Sequence, residues 1–143
     1  MIRIRSAMIT VAVLLASAVS VSAHHSFAAE YDAKKPVTVV GKVTKIVRTN
    51  PHGWIYVDVK DADGAVKNWA VETNTPSVLA RRGLTKEILP IGTELKIQGY
   101  RAKDGSPTMN GNVITFPDGR DIMIGSEAPA DASGAKPEEK HDY

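Results

Sequence analysis

The sequence predicts an all-β fold with one short helix, a small five-stranded barrel in the order β-β-β-α-β-β. Three observations predict it. Runs rich in Val, Ile and Thr recur between residues 37 and 124, and one of them alternates apolar and polar residues with period two. Asp-Gly pairs at 63–64, 104–105 and 118–119 separate these runs with turn chemistry. A single helix-start signature stands between the third run and the fourth.

The first strand is read over Val37 to Val47, and Asn50-Pro51 marks the turn that follows it. In the second, Ile55, Val57 and Val59 alternate with Trp54, Tyr56 and Asp58, a pattern that buries one face only. Asp63-Gly64 turns the chain into a third strand, Val66 to Glu72. Thr75-Pro76-Ser77 then puts Pro at the first helical position behind a cap supplied by Thr75 or Asn74. Val78, Leu79 and Ala80 give the helix its apolar face and Gly83 its stop, and Thr85 to Leu89 suggests a further short turn before Pro90. Glu94 to Arg101 and Asn112 to Phe116 read as the last two strands, with Asp121 to Ile124 a final extended piece. Three strands, a helix and two strands in about 90 residues is the order of an OB-type barrel. Gly41 and Gly99 stand where such a barrel bends its long strands. A small β-sandwich is the alternative fold, and the mid-chain helix argues against it.

Residues 1–23 read as an export signal. Arg3 and Arg5 give a positive start, Ala7 to Val19 an apolar run, and Val21-Ser22-Ala23 a small-residue cleavage site. The run is too short for a spanning helix, so no stable membrane anchor is expected after cleavage. Arg3-Ile4-Arg5 is not a twin-arginine pair, which favours the general secretory route and a periplasmic location. The whole chain has 18 Lys and Arg against 16 Asp and Glu, and loss of Arg3 and Arg5 leaves 16 against 16. A formally neutral mature chain offers no electrostatic reason to bind nucleic acid. Cysteine is absent, which excludes disulfides, thiolate metal sites and cysteine catalysis. Residues 24–125 supply one modest core, while 126–143, rich in Ala, Pro, Gly, Ser and acidic residues, reads as a disordered tail.

Two constellations carry chemistry. Cleavage after Ala23 leaves His24 with a free α-amine beside its own imidazole and that of His25. With His52, in the turn Asn50-Pro51-His52-Gly53-Trp54, three imidazoles and an amine form a nitrogen donor set suited to copper or another late divalent metal. Met109 and Met123 are soft donors for Cu(I), though both read first as core fillers. The second constellation is Trp54 and Tyr56, two apart on the outward side of the second strand. That is the face on which OB barrels take oligonucleotides or sugars by stacking.

Other patterns carry less. Asp61-Ala62-Asp63-Gly64 lacks the spacing and closing glutamate of a calcium loop. Arg81-Arg82 could grip an anion but reads first as a solvated helix end. Glu72 is the one acid placed to carry a proton, and no base or second acid pairs with it by spacing. There is no nucleophile elbow, zinc-protease helix or phosphate loop.

The segments HHSFAAEYD (24–32), NPHGWIYVDVKDADG (50–64), NWAVE (68–72) and GYRAKDGS (99–106) resemble a family of small exported bacterial proteins of unknown function. The resemblance runs from His24 to about Gly125 and implies a periplasmic OB-like barrel with no established activity. It also makes the starting His pair and the NPHGW segment family features, with Gly53 a departure from the His-Ala-Trp often found there. The expectation is a non-enzymatic binding module, with copper held by His24, His25 and His52 as the most concrete ligand. The alternative is a module that binds a protein or saccharide through Trp54 and Tyr56, the histidines being incidental. An enzyme with an N-terminal copper centre is the least favoured reading, because no acid–base pair accompanies it.

Overall fold

A computed structural model of the chain describes residues 26–125, so residues 1–23, read above as an export signal, His24, His25 and residues 126–143 lie outside the described residues. Ser26–Glu30 forms a short helix, α1. The strands then follow as β1 (Tyr31–Val47), β2 (Gly53–Lys60) and β3 (Val66–Thr73). Helix α2 (Pro76–Arg81) separates them from β4 (Glu94–Ala102), β5 (Thr108–Thr115) and β6 (Asp121–Met123). Among the described residues no helix is long and apolar enough to cross a membrane.

Period-two alternation decides which way each strand faces. On β2, Ile55, Val57 and Val59 are buried while Asp58 and Lys60 are exposed and Trp54 and Tyr56 are half-buried. On β3, Trp69 and Val71 turn inward, so Trp69 belongs to the core. Leu95, Ile97, Met109, Ile114, Ile122 and Ile124 complete the interior with Val39 and Val43. Each such side chain contributes about 1.5–3 kcal/mol by leaving water, and without disulfides this core holds the domain together.

The sheet runs β3-β2-β1-β4-β5-β6, antiparallel throughout except where β3 meets β5. That parallel contact pairs Ala70 with Thr108, Val71 with Met109 and Glu72 with Asn110, and it closes five strands into a ring. This is the OB-like barrel that the strand order predicts. Two strands reach further than the sequence suggests: β1 begins at Tyr31 and β5 at Thr108. Met123 departs from its expected place, standing 48% exposed on β6 between the buried Ile122 and Ile124. Met109, in contrast, is fully buried.

Gly41 and Gly99 stand where neighbouring strands pass too closely for a side chain. Gly41 pairs with Val59 on one side and Leu95 on the other, and a Cβ there would lie 2.6 Å from the Asp58 carbonyl oxygen. Gly99 sits at a register shift between β4 and β5, where a Cβ would fall 2.1 Å from the Asn110 carbonyl oxygen. Neither contact is one a flexible side chain could relieve.

Helix α2 covers one end of the barrel. Thr75, not Asn74, is its cap, the Thr75 hydroxyl accepting from the Val78 amide at 3.4 Å. At the other end the Leu84 amide reaches back to the Leu79 carbonyl and that of Gly83 to Ala80, a Schellman stop with Leu79 and Leu84 both buried. The turn from β5 to β6 places Arg120 against Asp118, 2.7 Å from Nε to Oδ2.

The two kinds of glycine give opposite expectations. Gly99→Ala is expected to cost about 3 kcal/mol, as overpacking against backbone does. Gly92→Ala, at φ 90° with open space around it, is expected to cost about 1 kcal/mol for the backbone conformation alone. Urea unfolding midpoints of the two variants check the ranking.

Candidate functional site

The hairpin of β2 and β3 builds the site. Its register pairs Trp54 with Glu72 and Tyr56 with Ala70, and it pairs Gly53 with Thr73 at the open end. Continued outward, that register sets His52 diagonally across from Glu72, on the same outer face as Trp54. The approach to His52 is fixed by its backbone: the Thr49 hydroxyl donates to the His52 carbonyl at 3.0 Å, and the Gly53 amide donates to the Asn74 carbonyl at 3.3 Å. The Asn50-Pro51 bond before it is cis. Gly53 lets the two strands approach, since a Cβ there would lie 2.8 Å from Thr73 Oγ1.

His52 and Glu72 therefore meet. His52 Nδ1 lies 3.3 Å from Glu72 Oε1, with the imidazole 45% and the carboxylate 12% exposed. Glu72 Oε2 in turn accepts from Asn110 Nδ2 at 3.4 Å, because β5 lies parallel to β3 at this point. A relay His52–Glu72–Asn110 thus crosses the end of β2, β3 and β5.

The aromatic pair stands beside this relay. Trp54 is flanked in register by Val47 on β1 and Glu72 on β3, and Tyr56 by Lys45 and Ala70. The Lys45 ammonium lies 5.4 Å from the centre of the Tyr56 ring. Further along the same face, Asn68 Nδ2 donates to Asp58 Oδ1 at 2.8 Å and to Thr44 Oγ1 at 3.0 Å, which locks the polar end of the strand pair. Beneath Trp54, a crevice lined by Ile46, Val47, Ile55, Leu79 and Leu89 has room for about 10 Å³, the size of one water molecule.

Several residues singled out by sequence have structural work. Arg82 Nη1 donates to the Met123 and Gly125 carbonyls at 3.1 and 2.8 Å, tying α2 to the chain after β6. Asp61 pairs with Lys67 at 2.6 Å, and Asp63 Oδ1 accepts from the Ala65 amide, so both acids serve the β2–β3 turn. The Lys67 ammonium is held above its ordinary pKa by the hydrogen bond to Asp61, then by the charge of that same carboxylate. Among the described residues no group of three His, Asp or Glu side chains gathers as a metal would require. His24 and His25 lie outside the described residues, so His52 is the one member of the expected triad whose surroundings are seen.

Sequence reading picked out Glu72 but gave it no partner, and it missed Asn110. The first partner was legible only in part: the loop is Ala62-Asp63-Gly64, closed by the Asp61 amide on the Ala65 carbonyl, and that one-residue difference from a two-residue Asp-Gly hairpin is what sets residue 52 opposite 74 and diagonal to 72. The second depends on barrel closure and left no local signal.

The chain belongs to DUF6152, a family of unknown function. The family's model matches residues 11–111, a span that includes His24, His25, His52, Trp54, Tyr56, Glu72 and Asn110. No curated protein and no solved structure matches the chain.

The two tryptophans should report on this arrangement separately. Trp54→Phe leaves only Trp69, 7% exposed, whose emission is expected to lie to the blue and resist iodide. Trp69→Phe leaves the half-buried Trp54, expected to emit to the red and quench more readily. Steady-state fluorescence of the two variants checks both.

Proposed function

We propose that the protein is a periplasmic, non-enzymatic binding module whose ligand is copper or another late divalent metal held by histidine nitrogens. The donors are the freed α-amine and imidazole of His24, the imidazole of His25, and Nε2 of His52. One observation supports the reading above others: the Glu72 carboxylate oxygen Oε1 stands 3.3 Å from His52 Nδ1. Metal-ligating histidines commonly have a carboxylate beside their second nitrogen while the first meets the ion. Imidazole and amine donors suit Cu(II) in particular. Trp54, on the same outer face, gives the His52 side of the site an apolar flank.

A second reading rests on Trp54 and Tyr56 as neighbouring outward positions of β2, with the Glu72 carboxylate and Asn110 amide beside them. A flat aromatic pair with hydrogen-bonding groups at its edge suits the face of a saccharide ring.

Titration of Cu(II) into the protein beginning at His24, its start confirmed by intact mass, tests the first reading. One ion per chain is expected, bound more tightly than by a free peptide of residues 24–32. His52→Ala is expected to weaken binding about tenfold or more, at least about 1.4 kcal/mol. Affinity equal to that of the peptide, or untouched by His52→Ala, would remove the site. For the second reading, soluble oligosaccharides are titrated while Trp54 emission is followed. Binding that Trp54→Ala abolishes and His24→Ala spares favours it, and a flat response to every sugar sinks it.

A further inference from the structure

We propose that Asp63-Gly64, in the β2–β3 loop, is a site of spontaneous isoaspartate formation, and that the fold withholds the same rearrangement from Asp104-Gly105 and Asp118-Gly119.

The chemistry belongs to the dipeptide. The glycine amide nitrogen attacks Cγ of the aspartic acid side chain, forming a C–N bond as a C–O bond breaks. The carboxyl hydroxyl and the amide proton leave as water. Water then opens the five-membered imide: opening at Cγ restores aspartate, and opening at the main-chain carbonyl leaves the chain running through Cβ and Cγ. One water goes out and one comes in, so no oxidant or other co-reactant is needed. Glycine, without a Cβ, obstructs the attack least, and all three aspartates have glycine next in sequence. Their intrinsic reactivity is therefore similar, and the fold is what separates them.

The three turns are built alike. The glycine lies at positive φ in each, 88° at Gly64, 80° at Gly105 and 86° at Gly119. Its amide donates to the carbonyl three residues back, that of Asp61, Ala102 and Phe116 in turn. Oδ1 of each aspartate accepts from the amide two residues on, at 3.0 Å from Ala65, 2.9 Å from Ser106 and 3.0 Å from Arg120.

The difference lies in the side chain of that last residue. Arg120 brings Nε to 2.7 Å from Asp118 Oδ2, so both oxygens of this carboxylate are held. The Arg120 amide, then its guanidinium, keep Asp118 below its ordinary pKa. The Ser106 hydroxyl, then its amide, do the same for Asp104. Arg101 Nη2 ties the loop around Asp104 further by donating to the Gly105 carbonyl at 3.0 Å. Ala65 offers only a methyl group, and the Lys67 ammonium beside this loop is drawn to Asp61 at 2.6 Å. Attack needs an uncharged carboxyl that can rotate toward the next amide, and a clamped, ionised carboxylate resists both changes. Asp63 is the least clamped of the three. An isoaspartate there adds one backbone atom to the loop behind the register that sets Trp54 against Glu72.

The intact protein, aged at physiological temperature and neutral pH, is digested and sequenced by electron-transfer mass spectrometry, which separates isoaspartate from aspartate. Isoaspartate is expected to accumulate at 63 several-fold faster than at 104 or 118. In urea, with the folded restraints gone, the three rates are expected to converge. Ala65→Arg is expected to slow site 63 and Arg120→Ala to bring site 118 up to it; both positions are exposed, so neither change reaches the core. Equal rates in the folded protein, a lead at 104 or 118, a ranking that persists in urea, or isoaspartate formed only in urea would each overturn the proposal. An Ala65→Arg protein no slower at 63 would remove the part given to the flanking side chain.

Discussion

Three residue pairs close this barrel. Ala70, Val71 and Glu72 lie parallel to Thr108, Met109 and Asn110, and no local signal brings the two segments together. A parallel pair needs a long crossover, here α2 and β4, which must fold back before β5 can dock. The closure converts a curled sheet with two open edges into a ring whose interior is filled by side chains. It also sets Met109 against Val71 at the core's centre, both fully buried. The outer face of β2 and β3 depends on it, because only in the closed ring does Asn110 stand next to Glu72.

The relay and the aromatic pair are therefore two parts of one surface. Glu72 belongs to both: it is the register partner of Trp54 and lies 3.3 Å from His52 Nδ1. A change at this acid would disturb an imidazole on one side and an indole on the other.

Much of the fold was legible because alternation is a local property. Ile55, Val57 and Val59 announced the inward face of β2, and the same count carried through Val71 places Trp69 inside. The alternation Ile122-Met123-Ile124 likewise put Met123 outside, where the preference of Met for cores misled. The missed ends of strands fail for another reason. Asn110-Gly111 is poor strand sequence that pairing with β4 overrides, whereas Asp32 to Lys35, almost without strand formers, form an irregular stretch between the paired Tyr31 and Pro36. The site divides in the same manner. His52 comes diagonal to Glu72 once the three-residue loop of the hairpin is known, whereas Asn110 comes from 38 residues further on and could be found only after the ring was closed.

The strap formed after β6 has a bearing on where this domain stops. The Asn74 amide donates to the Ile124 carbonyl, Asn74 Nδ2 to the Gly125 carbonyl, and Arg82 to both Met123 and Gly125. The family match ends at residue 111, in the middle of β5, yet these bonds lie beyond it. A fragment trimmed to the matched span would lose half a strand, the buried pair Ile122 and Ile124, and the acceptors of Arg82. For fusion, crystallisation or display, the bonds among the described residues require the domain to run at least as far as Gly125.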